Sequence, residues 1–172
     1  MPATHASEWV TRFAGRVPPA GRVLDVAAGS GRHTRFFLNR GHPVTAVDRD
    51  TAGLADLKAD PAMEIVEFDL EAGAAWPFSG REFEAVVVTN YLHRPVLRDI
   101  VASVAHGGVL LYETFASGQE RFGRPQNPDF LLKPGELLEA VHPTLRVLAY
   151  EDLVLHDPTR AVQRIAAVNA PG

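Results

Sequence analysis

The segment Arg22-Val-Leu-Asp-Val-Ala-Ala-Gly-Ser-Gly-Arg-His33 combines an apolar, strand-like run with a glycine turn and the opening of a helix. Gly29 and Gly31 suit a tight turn and let the backbone come closer to a ligand than any Cβ permits. A helix leaving such a turn directs its first free N–H groups at that ligand, so the segment reads as the seat of a nucleotide-like group. A glycine turn alone is also how an ordinary strand meets a helix. A second apolar run, Val44-Thr-Ala-Val47, makes it more informative, because it ends in Asp48. Nucleotide-binding α/β sheets place at that distance an acid that accepts the ribose hydroxyls.

These residues need a sheet to hold them. Apolar runs of strand character fall at 22–28, 43–49, 64–70, 83–90, 107–114, 144–155 and 160–169. Between the first five lie segments with helical spacing: 31–40 with Phe36, Phe37 and Leu38, 51–59 with Leu54 and Leu57, and 95–105 with Val96, Leu97, Ile100, Val101 and Val104. The alternation predicts an α/β fold: a single Rossmann-like, seven-stranded, mostly parallel sheet with helices on both faces. Only His156-Asp-Pro-Thr159 separates the last two runs, which predicts a C-terminal antiparallel hairpin. A helix over about 135–141 precedes the hairpin, and an amphipathic segment with Trp9, Val10 and Phe13 precedes the first strand. Trp9 and Phe13 suit the core or a lid, and core is the reading taken.

Residues 1–172 are read as one domain, with 1–18 an N-terminal helix or lid and 116–134 a loop over the substrate. Ala116–Phe130 is rich in Gly, Pro and polar residues and follows a strand that ends at the ligand seat. A long loop in that place suits a lid; the alternative is a solvated insertion.

Composition narrows the partners. Lys and Arg total 17 against 21 Asp and Glu, a formal net charge of −4, and no block of basic residues occurs, so nucleic acid is not an expected partner. The absence of cysteine excludes disulfides and thiolate metal sites. Asp69 and Glu71 are close in sequence, but two loop carboxylates are more often solvated or ligand-facing, and no metal is expected. At 172 residues there is room for one ordinary core but not for separate cofactor and substrate domains. The N-terminus has no export signal and no apolar run approaches the roughly 20 residues of a membrane helix, so the expected location is cytoplasmic, with no membrane partner. Monomer and homodimer both remain open.

Taken together, the strand-helix units, the Val23-Leu-Asp-Val-Ala-Ala-Gly-Ser-Gly31 turn, Asp48 and the terminal hairpin resemble the class I S-adenosylmethionine-dependent methyltransferases over nearly the whole chain. The resemblance implies S-adenosylmethionine as cofactor and S-adenosylhomocysteine as product. It assigns the glycine turn, with Asp25, Ala27, Gly29 and Gly31, to the amino-acid end of the cofactor. Asp48, with its neighbour Arg49, falls to the ribose, and Asp69, with Leu70, to adenine. His33 is placed where contact with the cofactor carboxylate or a surface role fits equally. The turn carries Ala27-Ala28 where many members begin with glycine, which loosens one backbone approach or tightens the first pocket. Within the class, the compact length, Leu132-Lys-Pro-Gly-Glu-Leu-Leu138 and the hairpin Leu155-His156 look like the tellurite-resistance methyltransferases.

The same resemblance implies that Thr89-Asn-Tyr-Leu-His-Arg-Pro95 lines the methyl-transfer pocket. This is not Asn-Pro-Pro-Tyr, which argues against the amino-methylating enzymes of adenine and glutamine. Asn90 and Tyr91 are assigned to the cofactor, and His93 and Arg94 to the substrate. His93 suits a general base or a capping histidine, and Arg94 an anion contact or a solvated cation. The fifth strand brings Tyr112, Thr114 and Phe115 to the rim, with Thr114 and Phe115 preferred for lining, Tyr112 next, and packing the alternative for Tyr112 and Phe115. Arg121, Phe122 and Arg124 suit a cationic lid over a small anionic or polarisable substrate. His156 matches the hairpin histidine that faces substrate in the tellurite-resistance group. His5, His42, His106 and His142 read as turn or surface residues.

The expected activity is methyl transfer to a small molecule, led by a thiol or chalcogen anion, with O- or N-methylation of a metabolite as the rival. A non-catalytic scaffold that binds S-adenosylmethionine would not need a polar lid. A nicotinamide-dependent oxidoreductase would carry a third glycine where the chain has His33-Thr34-Arg35.

Overall fold

The computed structural model describes residues 4–170. Its strands are β1 (Val23–Val26), β2 (Val44–Asp48), β3 (Met63–Glu67), β4 (Phe83–Thr89), β5 (Val104–Phe115), β6 (Arg146–Leu155) and β7 (Arg160–Val168). They form one sheet in the order β3-β2-β1-β4-β5-β7-β6. The first five run parallel, while β7 lies antiparallel between β5 and β6.

Strands covered on both faces read as continuous apolar runs, and β1 is buried at all four positions. Alternation divides their side chains between two layers. Val23, Ala85, Val87, Val109 and Leu111 face Trp9 and Val10 of α1 (Glu8–Phe13) and Phe37 of α2 (Arg32–Leu38). Leu24, Val26, Val86, Val88, Leu110 and Tyr112 face the opposite layer, which holds Ile100 and Val101 of α3 (Leu97–Ala102) and Leu137 and Val141 of α4 (Glu136–Val141). Trp9 is core, and its indole N–H donates to the Ile165 carbonyl of β7 at 3.0 Å.

Two expected helices differ. Residues 51–59 form a 3-10 turn, Ala52–Leu57, in place of an α-helix. Gly53 packs so closely on the glycine turn that a Cβ there would meet Ser30 Cα at 3.0 Å and the Gly29 carbonyl oxygen at 3.1 Å, which ties this stretch to the turn. The helix expected over 95–105 ends at Ala102, and β5 starts at Val104 across a register irregularity opposite Phe83 and Ala85.

Because β2 and β4 flank β1, the chain departs from the centre of the sheet in opposite directions. That switch point opens a crevice beyond the C-terminal ends of β1 and β4.

Candidate functional site

A cavity of about 510 Å³ occupies that crevice. All five parallel strands contribute through the residues at or just past their C-terminal ends. Ala27 follows β1, Asp48 and Arg49 close β2, and Phe68 to Glu71 follow β3. Asn90, Tyr91 and Leu92 follow β4, and Thr114 and Phe115 end β5.

The glycine turn is held from two sides. The Gly29 N–H donates to Asp48 Oδ2 at 2.8 Å, while Asp48 Oδ1 accepts the Asp50 N–H at 3.0 Å. A carboxylate has about four acceptor sites, so Asp48 keeps capacity for further donors. Ala27, on the cavity wall, sits at φ 53°, the left-handed region that favours glycine. Gly31, at φ 80°, caps α2, and a Cβ there would strike Leu54. Gly31 therefore serves the turn and its packing, while Gly29 stays exposed with open space where its Cβ would be.

Two expected cofactor residues are placed behind the turn. Asp25 is buried and accepts the Thr34 hydroxyl at 2.7 Å, which braces the first turn of α2. Burial pushes its carboxyl up to about 6, against the pull of the Thr34 bond and the Arg32 charge. His33 is also buried: Nε2 accepts the Ser7 N–H at 3.0 Å, and Nδ1 lies 3.3 Å from the Thr89 hydroxyl. An amide N–H can only donate, so Nε2 carries the lone pair and the ring proton belongs on Nδ1. Burial, and then the Arg32 charge, bring the imidazole down to about 3. His33 is a neutral strut between the N-terminal segment and β4, neither a surface residue nor part of the cavity wall.

On the far side, Asp69 Oδ1 accepts the Glu71 N–H at 2.9 Å in a local turn that presents both carboxylates at the cavity, with Phe68 and Leu70 beside them. Asn90 adopts φ 54°, a left-handed conformation that asparagine tolerates, and its N–H donates to the Glu113 carbonyl at 2.9 Å. Tyr91 lines the cavity with its hydroxyl buried and unpartnered among the described residues. Burial, reinforced by the charges of Glu71, Asp69 and Asp48, raises its pKa, so the phenol is a donor.

The expected substrate residues divide. Thr114 and Phe115 line the cavity, whereas Tyr112 belongs to the core and donates to the Tyr91 carbonyl at 2.8 Å. His93 is half-buried and outside the cavity wall, with Nδ1 3.7 Å from Glu71 Oε1. Arg94 is not free for a substrate anion. Its Nε and Nη2 donate to Glu136 at 2.6 and 3.0 Å, and its guanidinium also donates to the Asp129 and Leu131 carbonyls, each at 2.9 Å. Arg121, Phe122 and Arg124 are exposed and outside the cavity wall, Arg121 lying over the Phe122 ring. The loop contributes Pro125 and Phe130 instead. His156 is exposed in the β6–β7 turn, outside the wall. Sequence reasoning missed Phe68, Leu92, Pro125 and Phe130, of which Phe68 and Leu92 were signalled by their adjacency to assigned positions; Glu71, read as solvated or ligand-facing, lines the wall.

Three carboxylates, Asp48, Asp69 and Glu71, and one guanidinium, Arg49, line this cavity. The excess of negative charge favours a cationic occupant. Among the described residues no group of three His, Asp or Glu side chains is arranged to hold a metal ion, and no helix is long and apolar enough to cross a membrane.

Fold and cavity together define a class of enzyme. Residues 23–108, half of the chain, match the family model described as a methyltransferase domain, and the chain belongs to that family, the S-adenosylmethionine-dependent methyltransferases. Among solved structures it is similar to TehB from Haemophilus influenzae, at 20% identity and a TM-score of 0.76 over 97% of this chain. The chain spans 63% of the length of that protein. It is also similar to the 1,6-didemethyltoxoflavin-N1-methyltransferase of Burkholderia thailandensis, solved with 1,6-didemethyltoxoflavin and S-adenosylhomocysteine. There the identity is 19% and the TM-score 0.70, over 95% of this chain and 77% of the other. The glycopeptide N-methyltransferase MtfA, solved with sinefungin, matches at 24% identity and a TM-score of 0.64, over 99% of this chain and 96% of the other. No curated protein matches. These likenesses establish a shared fold.

Proposed function

We propose that the chain transfers a methyl group from S-adenosylmethionine to nitrogen or oxygen of a small neutral or basic acceptor. The observation that carries this reading is the acid-rich cavity, in which Arg49 is the one cationic side chain of the wall among the described residues. A thiol or chalcogen anion, the acceptor expected from the sequence, would need a cation beside it. Arg94 is committed to Glu136, and Arg121 and Arg124 lie outside the wall.

The residues present fit the cofactor. The negative excess suits a sulfonium, Asp48 retains acceptor capacity for ribose hydroxyls, and the open side of Gly29 leaves room for the amino-acid end. Asp69, with Phe68 and Leu70, would hold adenine, and the unpartnered Tyr91 hydroxyl would donate to an acceptor atom of the bound pair. When bound, S-adenosylmethionine supplies a methyl group on an activated leaving group, open to in-line displacement. What remains for the protein is to align the acceptor and keep out water, worth on the order of 7–11 kcal/mol for well-oriented partners. An N–H or O–H acceptor loses a proton as its new bond to carbon forms. Glu71 on the wall is the group that receives it.

The test is methyl-labelled S-adenosylmethionine offered with matched panels of amines, phenols, thiols, tellurite and selenite. Label moving to amines or phenols supports the reading; label moving only to thiols or chalcogen oxyanions overturns it.

A further inference from the structure

Pro125 and Phe130 are the two residues of the 116–134 loop that line the cavity, and each adjoins a backbone carbonyl held by an anchored side chain. Gln119 is 4% exposed; its Nε2 donates to the Arg124 carbonyl at 3.0 Å, while its Oε1 accepts the Ala161 N–H of β7 at 2.9 Å. The first limb of the loop is thereby bound to the sheet immediately before Pro125. On the second limb, Arg94 donates to the carbonyls of Asp129 and Leu131, on both sides of Phe130, and its planar fork is fixed by two bonds to Glu136 of α4. The base is closed as well, since the Ser117 N–H donates to the Leu132 carbonyl at 2.9 Å and the Leu132 N–H to the Phe115 carbonyl at 3.0 Å.

A loop braced at its base and beside both lining residues is a fixed wall. Phe130 nevertheless leaves 46% of its surface exposed, an aromatic ring held in position without being packed away. The adjoining wall is aromatic too, with Phe115 and Tyr91. Aromatic faces and edges select flat, unsaturated partners.

We propose that Arg94 and Gln119 are positioning residues that set Phe130 and Pro125 as one wall of the acceptor subsite, and that the acceptor is a planar aromatic or heteroaromatic molecule. This rests on the reading of the cavity as a methyltransferase site with a neutral or basic acceptor, and it adds the shape of that acceptor.

The experiment titrates the protein, saturated with S-adenosylhomocysteine, with 4-aminoquinoline and with cyclohexylamine, two amines that differ in planarity. The expected result is tighter binding of 4-aminoquinoline by about tenfold. Phe130→Ala, at an exposed position that does not support the core, abolishes the preference. Arg94→Gln also abolishes it, Arg94→Lys restores only part because it cannot reproduce the fork, and all three variants keep S-adenosylhomocysteine affinity within about twofold of the parent. Equal binding of the two amines, or a preference that survives Phe130→Ala, overturns the inference while leaving the cofactor reading intact. Failure of the parent protein to bind S-adenosylhomocysteine overturns both.

Discussion

Asp48 accepts the N–H of Gly29 at 2.8 Å, so the acid that ends β2 and the glycine turn that leaves β1 form one unit. A side chain placed to meet ribose hydroxyls also fixes the backbone that would meet the rest of the cofactor. Asp48→Ala is expected to weaken S-adenosylhomocysteine binding by about 10- to 100-fold, the range for losing hydrogen bonds to a charged group. Glu71→Gln is expected to leave that affinity within about twofold and slow turnover by about 100-fold or more, as for loss of a general base. Calorimetry and single-turnover kinetics separate the two effects; equal losses of affinity would contradict the division of roles.

Gly31 tests the packing of the turn. At φ 80°, and with Leu54 where a Cβ would stand, Gly31→Ala combines backbone strain with overlap and is expected to destabilise the fold by about 2–4 kcal/mol. Gly29→Ala, at φ 56° with open space around it, carries the backbone penalty alone, about 1–2 kcal/mol. Chemical denaturation of both variants checks the order, and a Gly29 variant less stable than the Gly31 variant would contradict it.

His33 makes stability depend on pH. Its folded pKa of about 3 lies below the ordinary 6.5, so the unfolded chain takes up a proton that the folded chain refuses as the pH falls from 6.5 toward 3. The stability that neutral His33 contributes is complete above 6.5 and declines below it, by up to about 1.4 kcal/mol per pH unit. Asp25 acts in the opposite sense. Its folded pKa of about 6 exceeds the ordinary 3.8, so its contribution is complete below 3.8 and lost as the pH rises through 6. Comparing wild type with His33→Gln cancels the Asp25 contribution. The stability advantage of wild type is expected to shrink between about pH 7 and about pH 4, and parallel stability curves would contradict it.

The sheet was legible because its inner strands are largely buried and apolar on both faces. The runs at 22–28, 43–49 and 160–169 enclose β1, β2 and β7 to within two residues at each end. The switch point followed from Asp48 and the glycine turn, which are local signals. What could not be read was which polar side chains were already partnered. Arg94 and Glu136 are 42 positions apart, and Ser7 and His33 are 26 apart, so their pairing depends on how elements dock. Arg94 therefore looked available for a substrate anion, and His33 for the surface or a cofactor carboxylate. The lid was legible as a loop, from Gly, Pro and polar residues, but not the inward choice of Pro125 and Phe130 over Arg121 and Phe122. Nothing periodic orients an irregular segment.

The exposed cations of that loop give a further prediction. Arg121 and Arg124 lie outside the cavity wall, so Arg121→Ala and Arg124→Ala are each expected to change kcat/KM for the acceptor by less than about threefold. A loss of about 100-fold in either would return a charged acceptor to the site.

The most direct measurement is a calorimetric titration of the protein with S-adenosylmethionine, S-adenosylhomocysteine and oxidised nicotinamide adenine dinucleotide. Saturable binding of the first two, with no heat from the third, is the expected result. Binding of the nicotinamide dinucleotide alone, or of none of the three, would contradict the assignment of the acidic cavity at the ends of β1, β2 and β4 to a methyl-donor cofactor.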